Sequence, residues 1–595
     1  LSPKLYMEGV PLIDDINETT ASITLDYQIS AQDDEGKTEI YDVTEFYRMR
    51  YTETRILLLD FRRSASKVFN PSQTVVSDAG ILLGVRDKNV TYSTNDDGTI
   101  VAFEQGGDLW SYAPAGGKIT RIFSFRKEKN NDSRYVRKEH DIKIIRVSDN
   151  GDVDFVLYGY MNRGIHEGYS GVCVYHYNSD RNVVEEKVFI PSTESYEFLK
   201  EDLGTLTYVN KNNQLFLLFA QKLYQVNIEE GTADVLEEGI KQNCFVVSDT
   251  KAHAAWLITS GDDKGKIREI EFDSLKTRDI VPESGQILRA LGFMNEDLIY
   301  GIISDGDILT DENGHETEGI STFRIENFKG KVKKEYHQDG LYITNVTVGT
   351  TMMEFELSVK SGNTYTVQKK DNIMNNRKAS GSQVDVALIT TNRAGTLIRL
   401  TMDQKPETDT PLLVYSKIES MKDASVTLDT TVPQGELYYV YAYGVLDRIY
   451  TDPAAAVKRA DDQTGVVLNR AQQYVWERGN KKTKLQLNIE DVPEIIRTAN
   501  WKKQEIQDGL GDAGTVIDLT GCSLDSVLYE VSAQRPVIAK TGDSSSVVIV
   551  GYDEYNTYLY DPSTGQTSPY GMNDSTALFE SAGNVFLTYI ENVTE

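Results

Sequence analysis

The sequence predicts a multidomain, mainly β protein: a β-propeller of about seven blades, then a small βαβ connector, then an α+β domain. Three observations predict it. Short runs rich in Tyr, Val, Ile and Thr recur along most of the chain, and 34 of its 595 residues are tyrosine; such runs suit half-buried strands. A loose strand–turn–strand repeat returns at a spacing of about 40–60 residues, the size of a four-stranded blade. Helical periodicity is nearly absent from that stretch and returns only after residue 430.

Residues 1–54 read as an N-terminal β-hairpin annex. Two alternating runs, Ala21–Ser30 and Glu39–Tyr47, flank the polar turn Gln32–Gly36, the pattern of paired strands.

Residues 55–428 read as the propeller. Its clearest repeats join Asp108–Tyr112 to Gly116–Thr120, Lys222–Val226 to Glu230–Ala233, and Lys266–Ile270 to Ser274–Thr277. Fainter copies occur at Val172–Tyr175, Ser321–Arg324, Asn363–Val367 and Thr396–Arg399. Turn signals fall where blades need them, at Asn95–Gly98, Asp149–Asp152 and Lys211–Asn213. Closing strands into a ring hides their edges, which lets many short strands coexist in solution. A β-sandwich array would repeat at roughly 90–100 residues instead.

Residues 429–480 read as the connector. Leu437–Ala442 is a strand, Asp452 and Pro453 start a helix as N-cap and first helical residue, and Gly465–Leu468 returns as a strand. Residues 481–595 alternate helix and strand. Helices are expected near 490–500, 523–532 and 574–582, with strands at 536–540, 546–550, 555–560 and 585–590.

This last domain carries a resemblance. Gln534-Arg-Pro-Val-Ile-Ala leads to Val547-Val-Ile-Val-Gly-Tyr-Asp553 and then to Tyr558-Leu-Tyr-Asp-Pro562. The order and spacing resemble the papain-like, bacteriocin-processing-type peptidases, the C39-like group. The resemblance implies a catalytic histidine six residues before the Gly of Gly-Tyr-Asp, where this chain has Ser545. It also implies an orienting carboxylate, matched by Asp561, whose histidine partner is missing. All six histidines (140, 166, 176, 253, 315 and 337) lie far upstream, and a thiol nucleophile needs an adjacent base.

Cys522 comes too late to be the nucleophile and reads as a core thiol. Gln472 and Gln473, in the place of an oxyanion donor, have no nucleophile beside them. A serine–lysine dyad of Ser545 or Ser546 with Lys540 would require a desolvated amine, and the polar stretch after Lys540 predicts a solvated cation. The domain is therefore expected to be inactive, and no catalytic residue is assigned.

Other chemistry finds little purchase. Lys plus Arg is 62 against 91 Asp plus Glu, a formal charge of −29. That balance excludes nucleic acid as a partner and argues against docking on anionic membrane. The acidic loop Asp305–Gly314 offers oxygen donors without EF-hand spacing, and His140, His166 and His176 share no ligand spacing. No metal or cofactor is expected. Phosphate-loop and Gly-x-Ser-x-Gly motifs are absent, and Gly106-Gly107 sits in a β-turn rather than before a helix. Cys173, Cys244 and Cys522 are odd in number and widely spaced, so no disulfide framework is expected. Sequons such as Asn89 and Asn345 decide nothing.

As a whole the chain resembles propeller-bearing surface proteins of gut Firmicutes. The expectation is a non-catalytic protein outside the cytoplasm of a Gram-positive bacterium that binds a peptide or protein. The start at Leu1 leads us to expect an upstream signal peptide or membrane anchor. Two alternatives remain: a hydrolase or lyase with its site in the propeller funnel, and a structural component of a surface assembly.

Overall fold

The computed structural model describes residues 3–33, 36–73, 75–77, 80–84, 90–126, 134, 137–241, 244–310, 316–349, 352–362, 364–375, 384–391, 395–419, 425–429, 436–542 and 544–592. With 54% strand and 12% helix, the protein is mainly β. It forms two compact units, each discontinuous in sequence. The first takes Leu1–Glu8, Gln28–Asp42 and Ser66–Pro433; the second takes Gly9–Tyr27, Val43–Ala65 and Gln434–Glu595.

Among the described residues, the first unit holds, in chain order, seven β-sheets of three or more strands, and a two-stranded pair, Ile308–Thr310 with Glu316–Glu318. The first sheet is a meander of Tyr92–Thr94, Val101–Gln105, Asp108–Ala113 and Lys118–Phe123. The second comprises His140–Val147, Val153–Tyr160, Ser170–Asn178 and Val183–Ser192. Leu412–Tyr415 and Lys417–Glu419 add parallel edge strands to these two sheets. The third, fourth and fifth sheets are also four-stranded antiparallel sheets, spanning 207–237, 245–280 and 286–337. The sixth has three strands between Tyr342 and Met374.

The seventh sheet joins distant parts of the chain. Val384–Thr391 and Gly395–Met402 pair with Gly80–Leu82 and Val76–Ser77, through Arg399↔Leu82 and Leu400↔Ile81.

Packing links these sheets in sequence. Phe123 of the first lies with Phe155 and Cys173 of the second in one core cluster, and Val156 and Ile190 with Leu215 and Tyr224 in the next. Phe216 packs with Trp256, Ala255 with Leu288 and Tyr300, and Phe323 with Met353 and Phe355. The series returns on itself where Ile81, Ile398 and Leu400 of the seventh sheet pack with Phe103 and Trp110 of the first. Each buried aromatic or aliphatic side chain contributes roughly 1.5–3 kcal/mol, so the sheets are held mainly by their neighbours' faces. First strands of neighbouring sheets also touch, His140–Val147 against both Tyr92–Thr94 and Thr207–Val209.

The sequence repeats now have a structural meaning. Six of the seven fall on or at the start of the third strand of a sheet; residue 363, which opens one of them, lies outside the described residues. Thr396–Arg399 is instead the second strand of the seventh sheet, whose other half comes from the N-terminal side. The helix Tyr196–Thr205, ahead of the third sheet, was not legible in the sequence.

In the second unit, Tyr438–Ala442, Val445–Tyr450, Val466–Asn469 and Tyr474–Glu477 form an antiparallel sheet packed by the helix Pro453–Asp462. Asp452 caps that helix by accepting from the Ala454 N–H, with Pro453 at its first position, as the sequence predicts. Val445–Tyr450 is a strand the sequence reading passed over.

A seven-stranded sheet follows, with Ser545–Tyr552 between Val537–Gly542 and Asn556–Asp561. Alternation puts Val537, Ala539 and Ile549 in one core with the helices Pro453–Asp462, Leu524–Ser532 and Met572–Ser581. Ile538, Val548 and Val550 face the opposite core with Ile496 and Ile506 of the helices Glu494–Arg497 and Lys503–Leu510.

The N-terminal hairpin is anchored inside this unit by Arg48, 1% exposed, which bonds Glu477 at 2.9 Å and Ser22 at 2.8 Å. Among the described residues no helix is long and apolar enough to cross a membrane.

Candidate functional site

The peptidase-like positions lie in the second unit. Ser545 opens its strand at the surface and accepts a hydrogen bond from the Thr541 hydroxyl at 3.0 Å. Asp561 closes the neighbouring strand. The register Val548↔Tyr560 places it opposite Val547, on the face that Ser545 shares two residues along. Asp561 accepts from the Ser563 hydroxyl at 2.6 Å and its N–H at 2.8 Å, and these bonds hold its carboxyl below the usual range. It caps its own turn.

Cys522 is 1% exposed, with its sulfur 3.7 Å from the Ala454 carbonyl. Burial pushes its thiol up to about 12, far from a reactive thiolate. Every histidine of the chain belongs to the sequence range of the first unit. Gln472 sits in a left-handed turn at φ 62°, and Gln473 donates to the distant Glu591 carbonyl at 2.8 Å.

Lys540 corrects one expectation. It is 4% exposed rather than solvated, directly across from Ser546, with its amine 5.9 Å from the Trp501 ring. The polar stretch after it misled, because the layer carrying Ala499 and Trp501 covers this face of the sheet. The Ser546 hydroxyl donates to the Ala499 carbonyl, so it is already engaged.

A richer site lies in the first unit, where a cavity of about 700 Å³ opens around the Gly106–Gly107 turn. Both glycines have positive φ, 65° and 83°, as a tight hairpin turn of this kind requires. Three side chains clamp the turn: Glu104 accepts the Gly107 N–H at 2.6 Å, His140 bonds the Gly107 carbonyl at 2.8 Å, and Arg126 donates to the Gly106 carbonyl at 2.6 Å. Burial raises the Glu104 carboxyl, against the opposing pull of the Gly107 N–H and Lys138. Burial lowers His140 and favours its neutral ring.

The far wall comes from the second sheet and the helix Tyr196–Thr205. Lys143 donates to the Leu203 carbonyl at 2.7 Å and the Gly204 carbonyl at 3.1 Å, completing the helix C-terminus. Burial, with Lys251 nearby, holds its amine down to about 8. Tyr158 and Tyr196 both lie against Asp141, and their hydroxyls are pushed up first by burial and then by that carboxylate. Lys200 approaches Asp141 at 3.5 Å.

Behind the turn, Lys138 bonds Asp42 at 2.7 Å. Burial acts to raise the Asp42 carboxyl, but Lys138 and Arg126 outweigh it and hold it low. Buried titratable groups with shifted protonation, gathered in one cavity, mark a functional-site candidate. Sequence reading saw the Gly106–Gly107 turn and His140 but not their meeting with Lys143, because separate strands and a helix supply the wall.

Other positions resolve plainly. His176 bonds Asp154 at 2.6 Å, and His337 is tied to the Ser321 carbonyl at 2.8 Å. His315 and Asp311–Gly314 lie outside the described residues. Asp307 of the acidic loop pairs with Lys360 at 2.6 Å. His166, Cys173 and Glu186 converge closely enough to hold a metal ion.

No family model matches the chain, and no curated protein matches it. Among solved structures, it is similar to one described as a C39-like peptidase from Bacillus anthracis. That likeness has 18% identity and a TM-score of 0.14, covering 16% of this chain and 59% of that one. This chain thus spans about three fifths of that structure's length.

The β-propeller domain of the Trilobed protease from Pyrococcus furiosus is similar at 9% identity and a TM-score of 0.23, over 63% of this chain and all of that one. Dipeptidyl peptidase 4 from Porphyromonas gingivalis is similar at 9% identity and a TM-score of 0.25, over 53% and 58% of the two chains. Likenesses at these scores decide neither fold nor activity, so the chain's own topology and side chains carry the reading below.

Proposed function

We propose that the chain is a non-catalytic recognition protein: a seven-bladed β-propeller joined to a C39-like papain fold that has lost its chemistry. The blades are the seven larger sheets of the first unit, with the seventh completed by the strands at 76–82 so that N- and C-terminal sides close the ring. The ligand is a peptide or a protein segment, and it binds in the cavity around Gly106–Gly107. We place this recognition outside the cytoplasm, at a Gram-positive surface, as the sequence resemblance implies.

The observation that carries the reading is the cavity lining. Amines of Lys138, Lys143 and Lys200 and carboxyls of Glu104, Asp141 and Glu201 line the same cavity as two tyrosines. Such a lining meets the carboxylate, amine and amides of a peptide together, while tyrosines supply flat contact area. In the peptidase-like unit, Cys522 is sealed in the core, so a groove there would retain contacts without cleavage.

Calorimetric titration of the full chain with a mixed-sequence tetrapeptide pool tests this. Glu104→Gln with Lys143→Met is expected to weaken binding at least tenfold, and Cys522→Ser to leave it unchanged. Equal affinity in all three proteins would overturn the proposal.

One observation favours a second reading, an enzyme using the same cavity. An amine held near 8 and a raised carboxyl lining one cavity are the kinds of group that move protons. Turnover of a glycan or peptide substrate, lost in Lys143→Met, would select it.

A further inference from the structure

We propose that His166, Cys173 and Glu186 form a binding site for a borderline divalent cation, zinc by preference, inside the second sheet. The three residues offer a ring nitrogen, a thiolate sulfur and a carboxylate oxygen whose ligand atoms all lie within 4.8 Å of one another. Zinc accepts this donor set with bonds of about 2.0–2.3 Å, which places ligands roughly 3.3–3.8 Å apart in a tetrahedron. Shifts on the order of 1 Å would close the site.

The strands are shaped to bring these side chains together. Cys173 pairs with Phe189 and Val174 with Val188, but Tyr175 pairs with Glu186, skipping Lys187. That bulge turns Glu186 onto the face of Tyr175 and Cys173; an unbroken register would have pointed it the other way. Bulges that re-aim one side chain recur beside functional sites. His166 reaches in from the loop between Tyr160 and Ser170, its ring stacked on Phe189 at 3.7 Å and 17°. The loop is folded by its own backbone, with Met161 N–H on the Tyr169 carbonyl at 2.8 Å and Gly168 N–H on the Met161 carbonyl at 3.1 Å.

A plain ion pair between His166 and Glu186, 2.7 Å apart, accounts for only half of the carboxylate. Glu186 is 1% exposed, and its second oxygen has no hydrogen-bond partner. Leaving such an atom unsatisfied is costly. Cys173 is fully buried beside His166 and Glu186. The Met161 sulfur lies 4.0 Å from the Cys173 sulfur. A cation would satisfy the orphaned oxygen and replace the thiol proton, which is released on binding.

The test uses the full, untagged chain after chelator dialysis. Zn²⁺ is titrated by calorimetry, and Co²⁺ is used as a spectroscopic stand-in. One equivalent of Zn²⁺ per chain is expected, with a thiolate-to-cobalt charge-transfer band that is lost in Cys173→Ser and kept in Cys522→Ser. His166→Ala is expected to weaken Zn²⁺ binding at least tenfold. It changes a loop side chain, so it keeps the test readable should the core variant Cys173→Ser not fold. Absence of saturable Zn²⁺ binding to the wild-type chain, or undiminished affinity in His166→Ala, would overturn the site.

Discussion

In the two units polar side chains are put to different uses. In the second, they serve packing and turns: Cys522 lies in the core, Asp561 caps a turn, and the Ser546 hydroxyl bonds a backbone carbonyl. In the first, Glu104, His140, Asp141 and Lys143 line a cavity, and two of them are pushed by burial toward unusual protonation. On the proposed reading, a unit with a peptidase-like sequence pattern is chemically quiet, while an unmarked set of short strands gathers the titratable groups.

That contrast can be broken at several points. The largest expected effect is in the second unit. Arg535 bonds Glu530, 0% exposed, at 2.6 Å and also donates to the Val475 carbonyl at 2.8 Å. Arg535→Ala leaves the carboxylate buried and unpaired, and urea unfolding should show a loss of about 3–5 kcal/mol. Glu530→Leu with Arg535→Met should recover most of it, since an apolar pair removes both charges.

In the first unit the matching lesion is Ile398→Ala, where the seventh sheet meets the first. A cost of about 2–5 kcal/mol is expected by chemical denaturation. If these sheets close a ring, the variant should also lower the cooperativity of the first unit's transition. An unaltered slope would sharpen the case for independent sheets.

A smaller effect distinguishes the cavity. The folded chain holds the Lys143 amine at about 8, against roughly 10.4 when unfolded. Between those values the unfolded chain binds more protons, so unfolding free energy rises with pH, by at most about 1.4 kcal/mol per unit. Below that window, burial of the charged amine costs stability. Lys143→Met should flatten the rise, read as the wild-type-minus-variant difference across the window. The smallest expected effect is at the peptidase-like position Ser545: Ser545→Ala should change stability by less than about 0.5 kcal/mol and leave peptide binding as it is.

Much of the fold was legible. The repeats marked the third strands because Asp108–Tyr112 and its counterparts combine an alternating apolar run with a nearby turn. The Asp452–Pro453 cap located its helix by local chemistry. Closure of the seventh sheet was not legible, since Ile81 and Leu400 meet across almost the whole unit and no local pattern records such a pairing. The site was less legible still. Glu104 comes from one strand and Asp141 and Lys143 from another, and together they form no motif. Nor could spacing alone have aimed Glu186 at Cys173, because a single skipped residue does so. The desolvation of Lys540 was misread for a related reason: the covering layer comes from residues some forty positions earlier.

One experiment reaches the central claim most directly. A mixed-sequence tetrapeptide pool is passed over the immobilised full chain, and bound and unbound fractions are read by mass spectrometry. The account predicts intact peptides retained by the wild-type chain and by Cys522→Ser, and released by Glu104→Gln with Lys143→Met. Shortened peptides whose appearance requires Cys522 or Ser546 would contradict it.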